Sequence, residues 1–337
     1  MREAMFYETV DGGVRCNLCA HSCVVTDGEK GRCSVRRNRD GRLYTLVYGR
    51  AAALNIDPIE KKPLFHFLPG TLSLSVGTLG CNLRCAFCQN WSLSRGADDC
   101  LPDNARHLSL SPEALITHCL NQRIPSISFT YNEPAVFFEY AYETCRLARE
   151  QGIRTVFVSN GYLSAAALEK LAPVLDAINI DLKSFNDEFY REYCGGRLAP
   201  VLDTIKRVAG YGIWQEIITL VIPELNDSDA ELAEVAGFIA GVDAGIPWHV
   251  NAFHPDHKML DRPPTPLKSL ERARRIGLDA GLKYVYIGNI ADRDSSSTWC
   301  PECGQRLIDR WQYPVASPGA NGGHCRACCT EIEGVWA

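Results

Sequence analysis

The sequence predicts an α/β fold. The expected architecture is a partial (β/α)6-type barrel over residues 71–292, with a small cysteine-rich metal module at 1–70 and a ribbon-like metal module at 298–337. Three observations carry this prediction. From residue 72 to about 290, short apolar strand candidates alternate with helix-like segments, the pattern of βαβ units around a parallel sheet. Twelve of the 16 cysteines fall in three groups, at 16–33, 81–88 and 300–329, with Cys329 a spare beside the last. The length, 337 residues, exceeds one average domain but suits one barrel with small appendages.

Composition narrows the class. With 46% apolar and 22% charged residues, the chain is an ordinary globular protein with material for a large core. A net charge of −5 argues against a nucleic-acid-coating surface. No stretch approaches the roughly 20 apolar residues of a membrane span. The first ten residues, MREAMFYETV, lack the apolar core of a signal peptide, so a cytoplasmic location away from membranes is expected. Cysteines in such a setting are metal ligands rather than disulfides, and three clusters imply three metal sites. Cys100, Cys119, Cys145 and Cys194 stand alone and are expected to be small buried residues.

Within residues 1–70, Cys16, Cys19, Cys23 and Cys33 offer four thiolates around a segment too poor in large apolar residues to fold without a cross-link. Zinc and a second iron–sulfur cluster both suit four thiolates. Zinc is preferred, because the Asp27–Arg32 turn is polar and the segment needs a redox-inert staple. Asp40-Gly41, flanked by Val35–Asn38 and Leu43–Tyr48, predicts a β-hairpin. Asp57–Gly70 is expected either as a packed linker, with Glu60 and its lysines solvated, or as a lining of the active site.

Strands are expected at Leu72–Thr78, Ser126–Thr130, Thr155–Ser159, Ala177–Leu182, Gln215–Ile222, Trp248–Phe253 and Tyr284–Ile287. Ser111-Pro112 marks a helix start, with a capping hydroxyl before a proline in the first turn. Ala135–Gln151, Ser164–Leu171, Asp227–Gly241 and Lys268–Ala280 carry apolar residues at helical spacing. In such a barrel the functional residues belong at the C-terminal ends of the strands.

The most informative stretch follows the first of these strands: Cys81-Asn-Leu-Arg-Cys85-Ala-Phe-Cys88. Three thiolates on one loop can hold three irons of a [4Fe–4S] cube and leave the fourth iron open to another ligand. A zinc knuckle would need a fourth ligand. With Phe87 before the last cysteine, the motif resembles that of the radical S-adenosylmethionine (SAM) superfamily. The resemblance implies that SAM binds the open iron and is cleaved to methionine and a 5′-deoxyadenosyl radical. That radical would abstract hydrogen from a protein or a small molecule. It also implies an electron donor of flavodoxin or ferredoxin type. By the same resemblance, Asn132 and Glu133 of Thr130-Tyr-Asn-Glu-Pro134 would grip the SAM amino group, although the more common motif there is Gly-Gly-Glu. Asn160, Asp181 and Lys183 would contact its ribose and carboxylate, and Ile217–Ile222 would back the adenine. His249, Asn251, His254 and His257, around the end of the sixth strand, are the candidates for contacting substrate, with His254 and His257 the catalytic candidates.

The chain closes with Cys300-x2-Cys303 and Cys325-x2-Cys328, a zinc-ribbon or rubredoxin-like ligand set in which iron can replace zinc. This site is expected to be structural and remote from the chemistry. Over nearly its full length the chain resembles the AmmeMemoRadiSam branch of radical SAM activating enzymes. The match rests on the N-terminal cysteines, Asp57–Pro63, Gly80–Asn90, Thr130–Pro134, Val285–Asn289 and the terminal ribbon. That resemblance implies Memo-like and AMMECR-type partners. A more distant resemblance, to pyruvate formate-lyase activase, covers the barrel only. A non-catalytic metal-binding scaffold is the alternative to an enzyme.

Overall fold

The computed structural model describes residues 1–96, 107–311, 313–317 and 319–336; Cys100 lies outside them. Its centre is an eight-stranded open sheet. The strands are β1 (Ala53–Pro58), β2 (Leu72–Gly77), β3 (Ser126–Phe129), β4 (Arg154–Ser159), β5 (Ala177–Asp181), β6 (Trp214–Val221), β7 (Trp248–Ala252) and β8 (Val285–Gly288). They lie side by side in chain order. Strands β2 to β8 are all parallel. All seven expected strands are present within a residue or two of their expected ends. The parallel part therefore has the seven strands expected.

The eighth, β1, runs antiparallel to β2, from Ala53 opposite Gly77 to Pro58 opposite Leu72. It lies inside the stretch assigned by sequence to the N-terminal module. Its alternation is blurred because Asn55 and Ile56 face solvent at the sheet edge.

Helices fill the crossovers: α1 (Pro112–Gln122), α2 (Phe138–Glu150), α3 (Ala165–Leu171), α4 (Leu198–Gly210), α5 (Asp229–Val242) and α6 (Leu267–Asp279). Helix α1 starts as expected, with the Ser111 hydroxyl accepting the Ala114 N–H at 3.2 Å and Pro112 in the first turn. Helix α4 escaped sequence reading because Arg197 at its N-cap makes no side-chain cap. It forms because Leu198, Val201, Ile205 and Val208 bury one face. The expected hairpin is also present, Arg36–Arg39 against Arg42–Thr45. Asp40 and Gly41 there have φ of 53° and 74°, the left-handed pair of a tight hairpin turn. Of the lone cysteines, Cys119, Cys145 and Cys194 are buried as expected.

The Asp57–Gly70 segment corrects an expectation. Glu60 is buried rather than solvated, accepting the Gly70 N–H at 2.8 Å. Lys62 is 2% exposed and donates to Asp57 at 2.6 Å, whereas Lys61 stays at the surface. Burial opposes ionisation of Asp57, but Lys62, Lys61 and Tyr131 donate to it and hold its carboxyl below the usual range.

The segment is strapped down from both sides. The carboxylate of Glu216, on β6, accepts the Phe65 and His66 N–H groups at 2.9 and 2.8 Å. It also accepts Trp214 Nε1–H at 3.0 Å and His249 Nε2–H at 2.7 Å. From the other side the C-terminal tail closes over it. Leu68 N–H donates to Val335 O at 2.7 Å, and the buried Arg310 donates to Phe65 O at 2.5 Å while lying over the Phe65 ring. Phe65, Tyr284 and Tyr286 share a core with Cys300, Leu307, Ile308 and Ile332, so the C-terminal module packs directly on the barrel. Among the described residues no helix is long and apolar enough to cross a membrane.

His66 makes this strap sensitive to acid. Its Nδ1 faces Glu333 O at 2.6 Å, so it carries the proton, and Nε2 accepts from the Tyr286 hydroxyl at 2.6 Å. The neutral ring is fully satisfied, and burial pushes its pKa down to about 4. An unfolded chain takes up that proton nearer 6.5. The stability contributed here is therefore whole above pH ~6.5 and declines as the pH falls toward 4, by about 3 kcal/mol in all. Urea unfolding between pH 7.5 and 4 should show this slope. His66→Gln, less stable at neutral pH, should show a shallower one.

Candidate functional site

The C-terminal ends of the strands open onto one cavity of about 380 Å³. Cys81, Cys85 and Cys88 line it, together with Phe87, Asn132, Glu133, Asn160, Asp181 and Lys183. Six residues singled out for the cofactor thus share a wall with three singled out for a cluster. Ile218 and Leu220, from β6, supply an apolar face. A volume of this size falls within the roughly 300–1,000 Å³ of small-molecule sites.

The cysteine loop is held by backbone from several directions. Arg84 and Ala86 donate N–H groups to Cys194 O and Tyr193 O at 2.7 and 2.8 Å, and Gly80 donates to Leu93 O at 3.0 Å. The Arg95 guanidinium donates to Cys81 O and Leu83 O, at 2.9 and 2.8 Å. Gly80 sits at φ 89°, and a Cβ there would lie 2.6 Å from Cys33 O, so only glycine fits. These clamps set where the thiols point without using the thiols themselves.

The acids and amides around the cavity divide into two kinds. Asn132 is engaged with the protein: its Oδ1 accepts Thr78 N–H at 3.0 Å and its Nδ2 donates to Gly80 O at 2.7 Å. It pins the turn that leads into Cys81, a role different from the expected grip on a ligand amine. Glu133 is buried and accepts from Asn160 N, Ser159 Oγ and Ala135 N at 2.7, 2.9 and 3.0 Å. Burial nevertheless pushes its carboxyl up to about 7. Asn160 donates to Asn82 Oδ1 at 2.8 Å and reaches Cys81 Sγ at 3.7 Å. Lys183 donates to Asp181 at 2.7 Å. Burial works against its charge, but the Asp181 carboxylate keeps it ionised.

The histidine-rich loop behaves otherwise than expected. His249 is buried inside the strap, bound to Glu216. His254 is exposed, and His257 stacks on Trp91 at 5.4 Å with φ of 52°; neither is in the cavity wall. Asn251 is in the wall. It is 7% exposed, and its Oδ1 has no hydrogen-bond partner among the described residues. Lys61, Lys62, Tyr131 and Asn289 also line the cavity, the first two from the stretch for which a lining of the active site was one of the two expectations. Of these, the Asp57–Pro63 stretch alone had a signal, charged pairs in an apolar setting.

The two remaining cysteine sets differ in spacing. The sulfurs of Cys300, Cys303, Cys325 and Cys328 all lie within 4.8 Å of one another. Cys300–Cys328 and Cys303–Cys325 are each separated by 3.6 Å. Four thiols so placed form the shell of a single metal ion. Cys16, Cys19, Cys23 and Cys33 surround a small enclosed space against the cluster loop.

The family described as the radical SAM superfamily matches residues 75–236. The sequence is 42% identical over 337 residues to Uncharacterized protein MJ0808 of Methanocaldococcus jannaschii, covering 99% of each chain. It is 23% identical over 221 residues to pyruvate formate-lyase-activating enzyme of Clostridium pasteurianum, covering 61% of this chain and 88% of the other. The crystal structure of Streptococcus suis SuiB bound to S-adenosylmethionine is similar with a TM-score of 0.49 at 16% identity, over 68% of this chain and 53% of that one.

Proposed function

The chain belongs to the radical SAM superfamily, and we propose that it is an enzyme that binds a [4Fe–4S] cluster through Cys81, Cys85 and Cys88 and uses SAM to initiate radical chemistry. The observation that carries this reading is the shared cavity: three thiols, two carboxylates, an ammonium and an apolar wall converge on it. The donor set fits. Three thiolates would leave one iron without a protein ligand, and Asn251 Oδ1, which has no hydrogen-bond partner among the described residues, would be available to a bound group. When bound, the cluster and SAM supply one-electron reductive cleavage to methionine and a 5′-deoxyadenosyl radical that abstracts hydrogen from a protein or small-molecule substrate.

The chain's own groups bind and orient. Glu133 is the partner for the SAM ammonium, and Asn132 holds the Thr78–Gly80 turn that leads into Cys81. The Lys183 ammonium suits the SAM carboxylate, with Asp181 keeping it charged. Ile218, Leu220 and Phe87 offer apolar surface to the base and help exclude water. Cys300, Cys303, Cys325 and Cys328 hold zinc as a structural staple. The resemblance to the AmmeMemoRadiSam branch supports Memo-like and AMMECR-type partners and a flavodoxin- or ferredoxin-like donor.

The deciding experiment reconstitutes the full chain anaerobically and adds a strong reductant with SAM. Release of 5′-deoxyadenosine supports the enzyme; no release together with no SAM binding returns the metal scaffold. Glu133 supplies a second check. Its carboxyl must be ionised to hold an ammonium, and burial places its pKa at about 7. SAM affinity should then be flat above pH 7 and weaken about tenfold per unit below it. Equilibrium binding from pH 6 to 8 measures this. A flat wild-type profile removes Glu133 from the role, whereas Glu133→Gln should bind more weakly and lose the slope.

A further inference from the structure

We propose that the N-terminal cysteines Cys16, Cys19, Cys23 and Cys33 enclose a second iron–sulfur cluster rather than zinc, placed to pass electrons to the site at Cys81. The sulfur spacing separates the two metals. A single tetrahedral ion at a Zn–S distance near 2.3 Å draws its thiolates to about 3.8 Å apart. The C-terminal four are arranged in this way, with pairs at 3.6 Å. Among the described residues, no three of the N-terminal cysteines bring their sulfurs within 4.8 Å of one another, and the Cys81, Cys85 and Cys88 set does not either. In a cubane each thiolate sits on its own iron, with the core between them, so the sulfurs stand wider apart.

The lining adds an independent observation. Arg36 borders the same space and is 1% exposed. It donates through Nη1 to Cys16 Sγ at 3.8 Å and pairs with Glu139, and its buried Nε–H has no partner among the described residues. A buried cation with a spare donor is suited to an anionic, sulfur-rich group. Hydrogen bonds to cluster sulfurs are one of the levers that set a cluster's potential. Leu18, Ala135 and Val136 give the wall an apolar part, and His21, Arg32 and Asn82 add polar groups. Cys16 is buried and Cys19, Cys23 and Cys33 are half-buried, so the thiols are drier than the polar Asp27–Arg32 turn that favoured zinc from sequence.

Position supplies the role, which rests on the radical SAM reading of the first site. His21, between Cys19 and Cys23, donates Nε2–H to Asn82 O at 2.8 Å. Asn82 is the residue after Cys81, and its side chain accepts from Asn160, which also touches Cys81 Sγ. On the other flank, Cys33 O lies against Gly80, the residue before Cys81. Two short routes thus join the cysteine sets, each with one contact between segments. Electron transfer falls steeply with distance, so a relay needs such adjacency; a zinc staple does not.

The test leaves the N-terminal site untouched. The full chain carrying Cys81→Ala, Cys85→Ala and Cys88→Ala, purified anaerobically, should keep ~4 Fe and ~4 sulfide with the Mössbauer signature of a cubane, alongside one zinc in the ribbon. No iron, with either one or two zinc ions, overturns the proposal. In the wild type, ~8 Fe should fall by half in Cys19→Ser while the remaining cluster's EPR signal still shifts on adding SAM. Loss of that SAM response in the wild type would count against the radical SAM reading only, because iron retained by the triple variant does not depend on SAM. Reduced wild type should show EPR broadening from two coupled spins, absent in each single-site variant. Sharp, additive spectra would overturn the relay.

Discussion

Cys85→Ala, purified anaerobically, should lose about four irons per chain and release 5′-deoxyadenosine at least ~10³-fold more slowly than wild type. Cys85 is the middle of three thiols on the loop, and two ligands cannot hold a site-differentiated cube. The loop itself should survive. It is fastened by the backbone bonds of Arg84 and Ala86 to Cys194 and Tyr193, and by Arg95 to Cys81 and Leu83. None of these uses the Cys85 sulfur. Far-UV circular dichroism and the unfolding midpoint should therefore stay close to wild type while the chemistry disappears. Retained activity in a chain with this substitution would refute the cluster assignment.

The largest loss of stability is expected at Glu216. Its carboxylate is fully buried and accepts four donors, from Phe65, His66, Trp214 and His249. Burial opposes its charge, yet the His249 contact and the proximity of His66 hold its carboxyl below the usual glutamate range. Its stabilisation is thus present above the ordinary glutamate pKa and lost as the pH falls through the lower folded value. Glu216→Ala leaves four donors in a dry interior and should cost about 3–5 kcal/mol. Glu216→Gln should rescue little, because its amide hydrogens would face donors. Urea unfolding gives the cost directly, and limited proteolysis near residues 63–68 should show that segment released. A loss under ~1 kcal/mol would mean that the Asp57–Gly70 strap is held by the C-terminal tail instead.

That dependence also links the two ends of the chain. Phe65 and His66 touch Glu216, Arg310, Glu333 and Tyr286, while Lys61 and Lys62, a few residues earlier, line the cavity. The C-terminal module was expected to be structural and remote from the chemistry. Its tail nevertheless helps to hold a wall of the candidate active site, so it is less remote than expected.

What the sequence determined by itself is what short-range chemistry encodes. The seven parallel strands follow from apolar runs, helix α1 from Ser111 and Pro112, and the hairpin from Asp40-Gly41, each readable within a few residues. The cysteine loop was legible because ligand spacing is a local feature, and Glu133, Asn160, Asp181 and Lys183 were singled out through the resemblance to radical SAM enzymes; the cavity brings all of them together. The tertiary structure alone decided which polar groups are available. Asn132 turned out to be engaged by Gly80, 52 positions away, and His249 by Glu216, 33 away. His66 became buried because partners arrive from elsewhere in the chain, Glu333 from 267 residues beyond it, whereas Lys62 and Glu60 find Asp57 and Gly70 within their own stretch. The spacing of the sulfurs in the two outer cysteine sets belongs to the same class. Four cysteines at irregular intervals fix the number of donors, but only the packing of Cys33 against Gly80 and of Arg36 beside Cys16 sets how far apart they stand. Burial free energy depends on the partner supplied, and in this chain most of those partners come from distant sequence.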